Sequence, residues 1–432
     1  MTDGPRRVLV VGSGGREHAL CWRLATEGGV ERVIVAPGNP LMSDVAEVRP
    51  AVTLADHAAI VELARSELVE LVVVGPEGPL VAGLADDLTA AGIACFGPSA
   101  AAAALEGSKA YCREVAAAAG VAMAEGEAFD AVQPALAHAC ALGAPLVVKA
   151  DGLAAGKGVT VCDSLGEAEA HVRAVIEDGR FGAANRRVVV ERRLEGREAS
   201  VIALCDGERA LALPAARDHK RLTDGDEGPN TGGMGAYSPV EELDAEAVAR
   251  IVATVHTPVL AEMARRGTPF RGALYAGLML TADGPRLLEF NARLGDPEAQ
   301  AILPRLASPL APLLAGAANG DLGEELAIVP AATVAVTLAA AGYPDQPRSG
   351  DLIGGIEAAQ AAGAVVFGAG VARDLDGRLV TAGGRVMTVV TSADNLEQAA
   401  AAASAAADMI VFDGRQRRHD IGRTMVLARS GT

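Results

Sequence analysis

The stretch LEFNARLGDPE, Leu288 to Glu298, sets a glutamate, an asparagine and an arginine at alternate positions in an apolar run and then breaks into Gly-Asp-Pro-Glu. Along a β-strand successive side chains point to opposite faces, so Glu289, Asn291 and Arg293 are expected to share one face while Leu288, Phe290 and Ala292 pack behind it. Such a row is costly to bury unless something binds it. The spacing therefore predicts a ligand-facing strand, and the partners of that row must come from elsewhere in the chain.

The chain of 432 residues is long enough for several domains and a large core. Half of it is apolar but only 3% is aromatic, so aliphatic residues must fill the core. The alanine-rich runs at 101–105 and 399–408 read as helices, alanine being the best helix former. A net charge of −17 and a pI near 4.9 exclude a general affinity for nucleic acid or an anionic membrane. Any phosphate site must then be local. Cys21, Cys95, Cys112, Cys140, Cys162 and Cys205 lack CxxC or other metal-ligand spacing and read as reduced core thiols. The opening MTDGPRRVLVVGSGG has too short an apolar run for a signal peptide, and no stretch reaches the roughly 18 apolar residues of a membrane span. The expectation is a soluble cytoplasmic monomer with no nucleic-acid or membrane partner.

From Arg7 to Gly97 short apolar runs, RVLVVG, RVIVAPG, LVVVGPEGPL and IACFGPS, alternate with helical patterns. This predicts a parallel sheet covered on both faces. Each run ends in a Gly- or Pro-bearing loop, and in open α/β sheets ligands bind at that carboxyl edge. GSGGREH is not a dinucleotide fingerprint: Glu17 stands at the third glycine position, and the second strand ends in Ala-Pro-Gly-Asn without an acidic residue. A phosphate cradle at the start of a helix near Arg16 fits the pattern. So does a tight strand-to-helix turn with no ligand.

The second region carries PLVVKADGLAAGKGVTVC, Pro145 to Cys162. It is not a Walker loop, because only three residues separate Gly152 from Gly156 and Gly158 replaces the Ser/Thr. VVKA and VTVC read instead as strands joined by a glycine hairpin that carries Lys157. RVVVERRLEGREASVIALCDG, Arg187 to Gly207, reads as two strands about a charged turn with Glu191, Glu195 and Glu198. The stretch Asp218 to Pro239 reads as a long polar loop whose Asp218, His219, Lys220 and Arg221 favour function. His219, with no partner histidine nearby, reads as a hydrogen-bonding residue. Past a linker near 316–330 a small β-rich region follows, and no internal repeat is apparent. Lys149, Lys157, the carboxylate-bearing turn, Glu289 and Asn291 together supply what MgATP needs: lysines for phosphates and hard oxygen ligands for the metal. Arg293 is placed to stabilise a transferring phosphoryl group.

At this point the ordered strings GGREHAL, APGN, VGPEGPL, LEGSKA, KADGLAAGKGV, DHKR, GPNTGGMGAYSP, LYAGLM and EFNARLGDPE resemble the phosphoribosylamine–glycine ligase (glycinamide ribonucleotide synthetase) family of ATP-grasp enzymes over nearly the whole chain. The resemblance implies an α/β ATP-grasp fold: an N-terminal Rossmann-like parallel-sheet domain (1–107), an ATP-grasp domain (108–316) with a mobile lid at about 123–193, and a small β-rich C-terminal α+β domain (330–432). It implies ATP-dependent ligation of glycine to 5-phosphoribosylamine through glycyl phosphate, the second step of de novo purine synthesis, with ATP and Mg2+ or Mn2+ as cofactors. By the same resemblance Glu289 and Asn291 carry the metal, while Lys109, Lys149, Gly156, Lys157, Gly158, Glu191, Leu194 and Glu198 line the nucleotide pocket. Arg293, Lys157, Asp218 and Lys220 are the expected catalytic residues. Gly14, Gly15, Arg16, Glu17, His18, Gly38, Asn39, Pro76 and Glu77, with Asp218, Lys220, Gly295, Asp296 and Pro297, are the expected substrate contacts.

The chain departs from the family at Gly368-Ala369-Gly370-Val371, where HAGT is usual, and at Ala382-Gly383-Gly384-Arg385, where NGGR is usual. No side-chain substrate contact is therefore carried over to Gly368, Val371 or Ala382. Pro40, in PGNP where PGNAG is usual, stiffens its loop. Other ATP-grasp carboxylate ligases, such as a biotin carboxylase, share a nucleotide site but not GGREHAL with DHKR and NTGGMGAYSP. A non-catalytic ATP sensor would need a damaged Glu289–Asn291–Arg293 row, and here that row is intact.

Overall fold

Val8, Leu9, Val10 and Val11 are all fully buried, which a strand achieves only when both of its faces are covered. That strand, Arg7–Gly12, lies in the middle of a five-stranded parallel sheet ordered Glu47–Val48, Arg32–Pro37, Arg7–Gly12, Leu71–Val74, Cys95–Phe96. The chain order reverses beside Arg7–Gly12, so the loops after it and after both its neighbours gather at one carboxyl edge. Glu47–Val48 has no counterpart in the sequence reading, because two residues carry no periodicity. The computed structural model describes residues 4–154, 158–182, 185–323 and 325–423.

The opening stretch enters a four-stranded antiparallel sheet ordered Ala210–Ala212, Arg197–Asp206, Arg271–Thr281, Gly284–Asn291. Its alternation is interrupted: Gly277 faces Glu289 and Leu278 faces Leu287, leaving Leu288 as an extra residue. The bulge puts Leu287 and Phe290 together in the core, and Leu288 is only half-buried rather than packed behind the row as expected. The strand ends at Asn291, so Arg293 projects from the loop beyond it. One helix, Ala245–Arg265, is long and apolar enough to cross a membrane by length and composition. Its Ile251, Val255, Val259, Leu260 and Met263 are buried in the protein's own core.

A second antiparallel sheet, ordered Gly126–Phe129, Val188–Arg192, Leu146–Ala150, Val159–Cys162, has its own apolar cluster under the helices Val132–Leu142 and Leu165–Ile176. VVKA and VTVC pair as the sequence predicts. The two strands expected about the charged turn, Val188–Arg192 and Arg197–Asp206, both form; they belong to different sheets, and the turn between them crosses from one to the other. A strand pattern fixes the strand but not its partner.

The last sheet is ordered Arg217–Asp218, Gly235–Ser238, Ala332–Ala339, Arg385–Ala393, Val365–Gly368. Its first two strands come from the polar stretch read as a loop, which holds two further short strands, Arg221–Thr223 and Glu227–Asn230, paired as a hairpin. Gly235–Ser238 takes its ladder from Ala332–Ala339, almost a hundred residues along the chain, so local pattern could not reveal it. The alanine-rich run forms the helix Leu396–Met409 as expected. Five cysteines are buried free thiols and Cys140 is exposed.

Candidate active site

The residues 288–298 are where the four larger sheets come together. The carbonyl of Leu288, freed by the bulge, accepts a hydrogen bond from Lys149 Nζ at 3.0 Å. Lys149 also pairs with Glu191 at 2.6 Å, and Arg113 holds the same carboxylate at 3.0 Å while donating to the carbonyls of Ala124 (2.9 Å) and Gly126 (2.6 Å). Arg113 thus ties the small sheet to the helix Lys109–Ala118. At the start of that helix Asp151 accepts from the Ala110 N–H and the Ser108 hydroxyl, at 3.2 and 3.1 Å, while Lys109 Nζ reaches the Gly152 carbonyl at 3.2 Å. The Gly158 carbonyl closes the hairpin stem by accepting the Ala150 N–H at 2.7 Å. Gly156 and Lys157 lie outside the described residues.

Glu289 lies within the field of several cations. Burial works against its charged form, but Lys220, Lys109, Lys149 and Arg293 together hold its carboxyl below the usual range. It is therefore an anion at neutral pH, with Asn291 two residues further along the same strand. These are two hard oxygen donors, which fits a divalent ion that takes its remaining ligands from phosphate and water. Among the described residues no group of three or more His, Cys, Asp or Glu is arranged to hold a metal ion.

Across the sheet Lys220 pairs with Glu198, and Ser200 Oγ joins Tyr275 Oη at 2.8 Å and donates to Glu298 at 2.9 Å. Asp218 lies near Lys220, Glu298 and Glu198. Burial pushes its carboxyl up to about 7, Lys220 opposing this and the two glutamates adding to it. The Leu194 carried by the crossing turn is half-buried and Glu195 is exposed. Glu298, one residue past the predicted Gly295-Asp296-Pro297, was missed. A Cβ on Gly295 would lie 2.3 Å from its carboxylate, so this close approach requires glycine.

Arg293 bridges two carboxylates, Glu77 at 3.2 Å and Glu106 at 2.9 Å, and Glu106 also accepts the Ala292 N–H at 2.7 Å. Glu106 was visible in LEGSKA but not singled out. Beside it, the parallel-sheet edge turns inward. Arg16 is buried, pairs with Glu17 at 2.6 Å and donates to the Leu294 carbonyl at 3.1 Å. Glu17 folds back to accept the Gly14 N–H at 2.6 Å, capping the helix Gly15–Ala25. A Cβ on Gly75 would lie 2.0 Å from Glu17 and one on Gly12 2.4 Å away. Of the glycines that suggested a phosphate cradle, Gly12 and Gly14 thus clear space for a carboxylate, and Gly75 from the neighbouring strand end does the same.

His18 and Asn39 reach the last sheet. The Gly368 N–H donates to His18 Nδ1 at 2.9 Å, and Asn39 Nδ2 donates to the carbonyls of Gly368 (2.9 Å) and Ser13 (2.8 Å). Burial lowers His18 to about 4, so its ring is neutral and free to accept. The Gly38 N–H donates to the Gly12 carbonyl at 3.0 Å, and Pro76 precedes the short helix Glu77–Val81. From the opposite side Arg385 pairs with Asp296 at 3.1 Å and donates to its carbonyl at 2.6 Å. Arg385 stands in the segment that departs from NGGR, and its charge survives the change. His219 lies 3.7 Å from Asp226, an ion-pair distance longer than a hydrogen bond.

Three family models cover the chain in order: Phosphoribosylglycinamide synthetase N domain over residues 6–106, ATP-grasp (A) domain over 107–299, and C domain over 333–424. A phosphoribosylamine–glycine ligase of Caulobacter vibrioides is 47% identical over 417 residues, covering 96% of this chain and 97% of that protein. The crystal structure of phosphoribosylamine–glycine ligase from Thermotoga maritima superimposes with a TM-score of 0.84 at 33% identity, covering 96% of this chain and 99% of that one. The biotin carboxylase domain of Hydrogenobacter thermophilus 2-oxoglutarate carboxylase, at 17% identity and a TM-score of 0.71 over 96% of this chain and 92% of that one, shares the ATP-grasp fold alone. With an α/β architecture and near-complete coverage, the chain belongs to the phosphoribosylamine–glycine ligase family.

Proposed function

We propose that the chain ligates glycine to 5-phosphoribosylamine with ATP, giving glycinamide ribonucleotide, ADP and phosphate. The observation that carries this reading is the charge pattern around Glu289: one carboxylate held ionised by Lys109, Lys149, Lys220 and Arg293, which come from four separate segments. Lys109 and Lys149, with Glu191, Leu194 and Glu198, take the nucleotide. The hairpin 152–158 closes over its phosphates, and its Lys157 adds a further positive charge. Glu289 and Asn291 fit a magnesium or manganese ion, which when bound neutralises charge on the phosphate oxygens.

Glycine lies on the opposite side, its ammonium against Asp218 and Glu298 and its carboxylate toward Lys220 and Arg293. One carboxylate oxygen attacks the γ-phosphorus, the bond to the β-phosphate oxygen breaks, and ADP leaves. The amine of phosphoribosylamine then attacks the acyl carbon, and the bond to the phosphate oxygen breaks. Phosphoribosylamine is held by the carboxyl-edge loops, Gly14 to His18, Gly38 with Asn39, and Pro76 with Glu77, together with Gly295 to Pro297. Because Arg16, His18 and Asn39 already hold Leu294, Gly368 and Ser13, their side chains fix the loops, and the backbone N–H groups in the first turn of the helix Gly15–Ala25 meet the sugar phosphate.

Measured ADP release tests the reading. It is expected only when glycine and freshly made phosphoribosylamine are both present; release driven by bicarbonate in place of glycine would overturn it. Asp218 gives a second expectation. A carboxyl held near 7 is neutral below that pH and ionised above it, so kcat/KM for glycine should rise as pH passes through about 7 and then level. Asp218→Asn should remove that rise. A wild-type profile flat from pH 6 to 8 would exclude Asp218 from the glycine site.

A further inference from the structure

Asp218 and Lys220 sit at the base of a hairpin whose tip is held by a distant part of the chain. The strands Arg221–Thr223 and Glu227–Asn230 form that hairpin, and at its base Thr231 donates twice to the Lys220 carbonyl, from its N–H at 2.7 Å and its hydroxyl at 2.8 Å. All three residues of the tip are bound by residues 418–420. Arg418 Nη1 donates to Asp226 at 2.6 Å and to the Arg221 carbonyl at 3.2 Å. Asp224 accepts the His419 N–H at 2.6 Å, and the Gly225 N–H donates to Asp420 at 2.9 Å.

The anchor is rigid. Arg418 is 1% exposed and is gripped by both oxygens of Asp420, at 2.8 and 2.6 Å, so its guanidinium has a fixed direction. Asp226 is mostly exposed and adopts a left-handed backbone with φ of 56°, a conformation that aspartate, asparagine and glycine tolerate and most residues do not. A surface turn does not need a buried arginine to hold it. The same Asp226 carboxylate also faces His219, which stands between Asp218 and Lys220 and packs against Tyr237.

We propose that Arg418 and Asp226 are positioning residues: by clamping the hairpin tip, the C-terminal segment sets the reach of Lys220 and the placement of Asp218 for glycine. This rests on the reading that Asp218 and Lys220 face glycine. Neither Arg418 nor Asp226 touches substrate. Their effect is geometric, and misplacing a reacting group by about 1 Å can cost on the order of 100-fold in rate.

The test is Asp226→Gly, which keeps the left-handed backbone and removes the carboxylate, beside Asp226→Asn, which keeps a hydrogen-bond acceptor. In Asp226→Gly kcat/KM for glycine is expected to fall about 10- to 100-fold, with Asp226→Asn between it and the parent. The ATP dissociation constant should be unchanged, and the melting temperature nearly so, since a pair with an exposed carboxylate contributes little stability. Parent-like glycine kinetics in Asp226→Gly, or a parallel loss of ATP affinity and melting temperature, would overturn the proposal. Lys220→Met separates the two levels of the argument. If it cripples glycine use while Asp226→Gly does not, the clamp alone is wrong; if Lys220→Met is itself silent, the glycine site is misplaced.

Discussion

Glu289→Gln is expected to reduce ATP-dependent ligation by on the order of 10²- to 10³-fold, the cost typical of removing one preorganised electrostatic group from a reacting centre. The substitution keeps size and shape but removes the one carboxylate that the strand Gly284–Asn291 offers a magnesium ion. It also leaves Lys220, Lys109, Lys149 and Arg293 without their shared anion. The magnesium concentration that half-saturates activity should therefore rise, while the melting temperature falls by far less than the activity. Two results would reject the assignment: full turnover in the variant, or a variant that does not fold, which would make the row structural.

The second large effect is isotopic and close to all-or-none. With glycine labelled by ¹⁸O in its carboxylate, the released phosphate should carry a single labelled oxygen per turnover in the presence of phosphoribosylamine. The reason is bond order: the oxygen that attacks phosphorus stays with phosphorus when the amine breaks the carbon–oxygen bond. A carboxylate oxygen is a poor leaving group and phosphate a better one, so activation of this kind is what makes the amide reachable. An acyl phosphate must also be kept from water, which closure of the hairpin 152–158 over the strand Gly284–Asn291 would do. Unlabelled phosphate would mean that the sugar or its amine is activated instead, and would sink the glycyl-phosphate route while leaving the fold untouched.

Individual residues show how far the linear chain could be read. The strand that carries Glu289 and Asn291 was legible because a period of two in an apolar run has few meanings. The parallel sheet was legible for a different reason: VLVVG (8–12) and LVVVG (71–75) are apolar at every position, which a one-sided strand cannot be. Leu288 was misread because a bulge is set by the partner strand, and nothing in LEFNAR announces that Gly277 faces Glu289 and Leu278 faces Leu287. Gly235–Ser238 was missed because its ladder comes from Ala332–Ala339, and the hairpin of Arg221–Thr223 and Glu227–Asn230 because strands of three and four residues carry no readable alternation.

The glycines of GSGG show the same limit. Their spacing was compatible with a phosphate or with a bare turn, and the structure adds a third use, space for the Glu17 carboxylate. Arg16, His18 and Asn39 were expected to meet substrate, and only the fold shows that their side chains also bond the backbone of Leu294, Gly368 and Ser13. Glu106, Arg113 and Arg385, which had not stood out, pair with Arg293, Glu191 and Asp296 among the expected site residues, and Glu298, likewise missed, with Ser200. Local sequence determined which residues are strands, which loops carry charge, and which types of group are available for chemistry, since each of these depends on neighbours within a few positions. Only the tertiary structure decided which carboxylate meets which cation. Burial strengthens an ion pair or makes an unpaired charge untenable, and burial is a property of the packed chain, in which Arg293 meets both Glu77 and Glu106 across about two hundred residues of sequence.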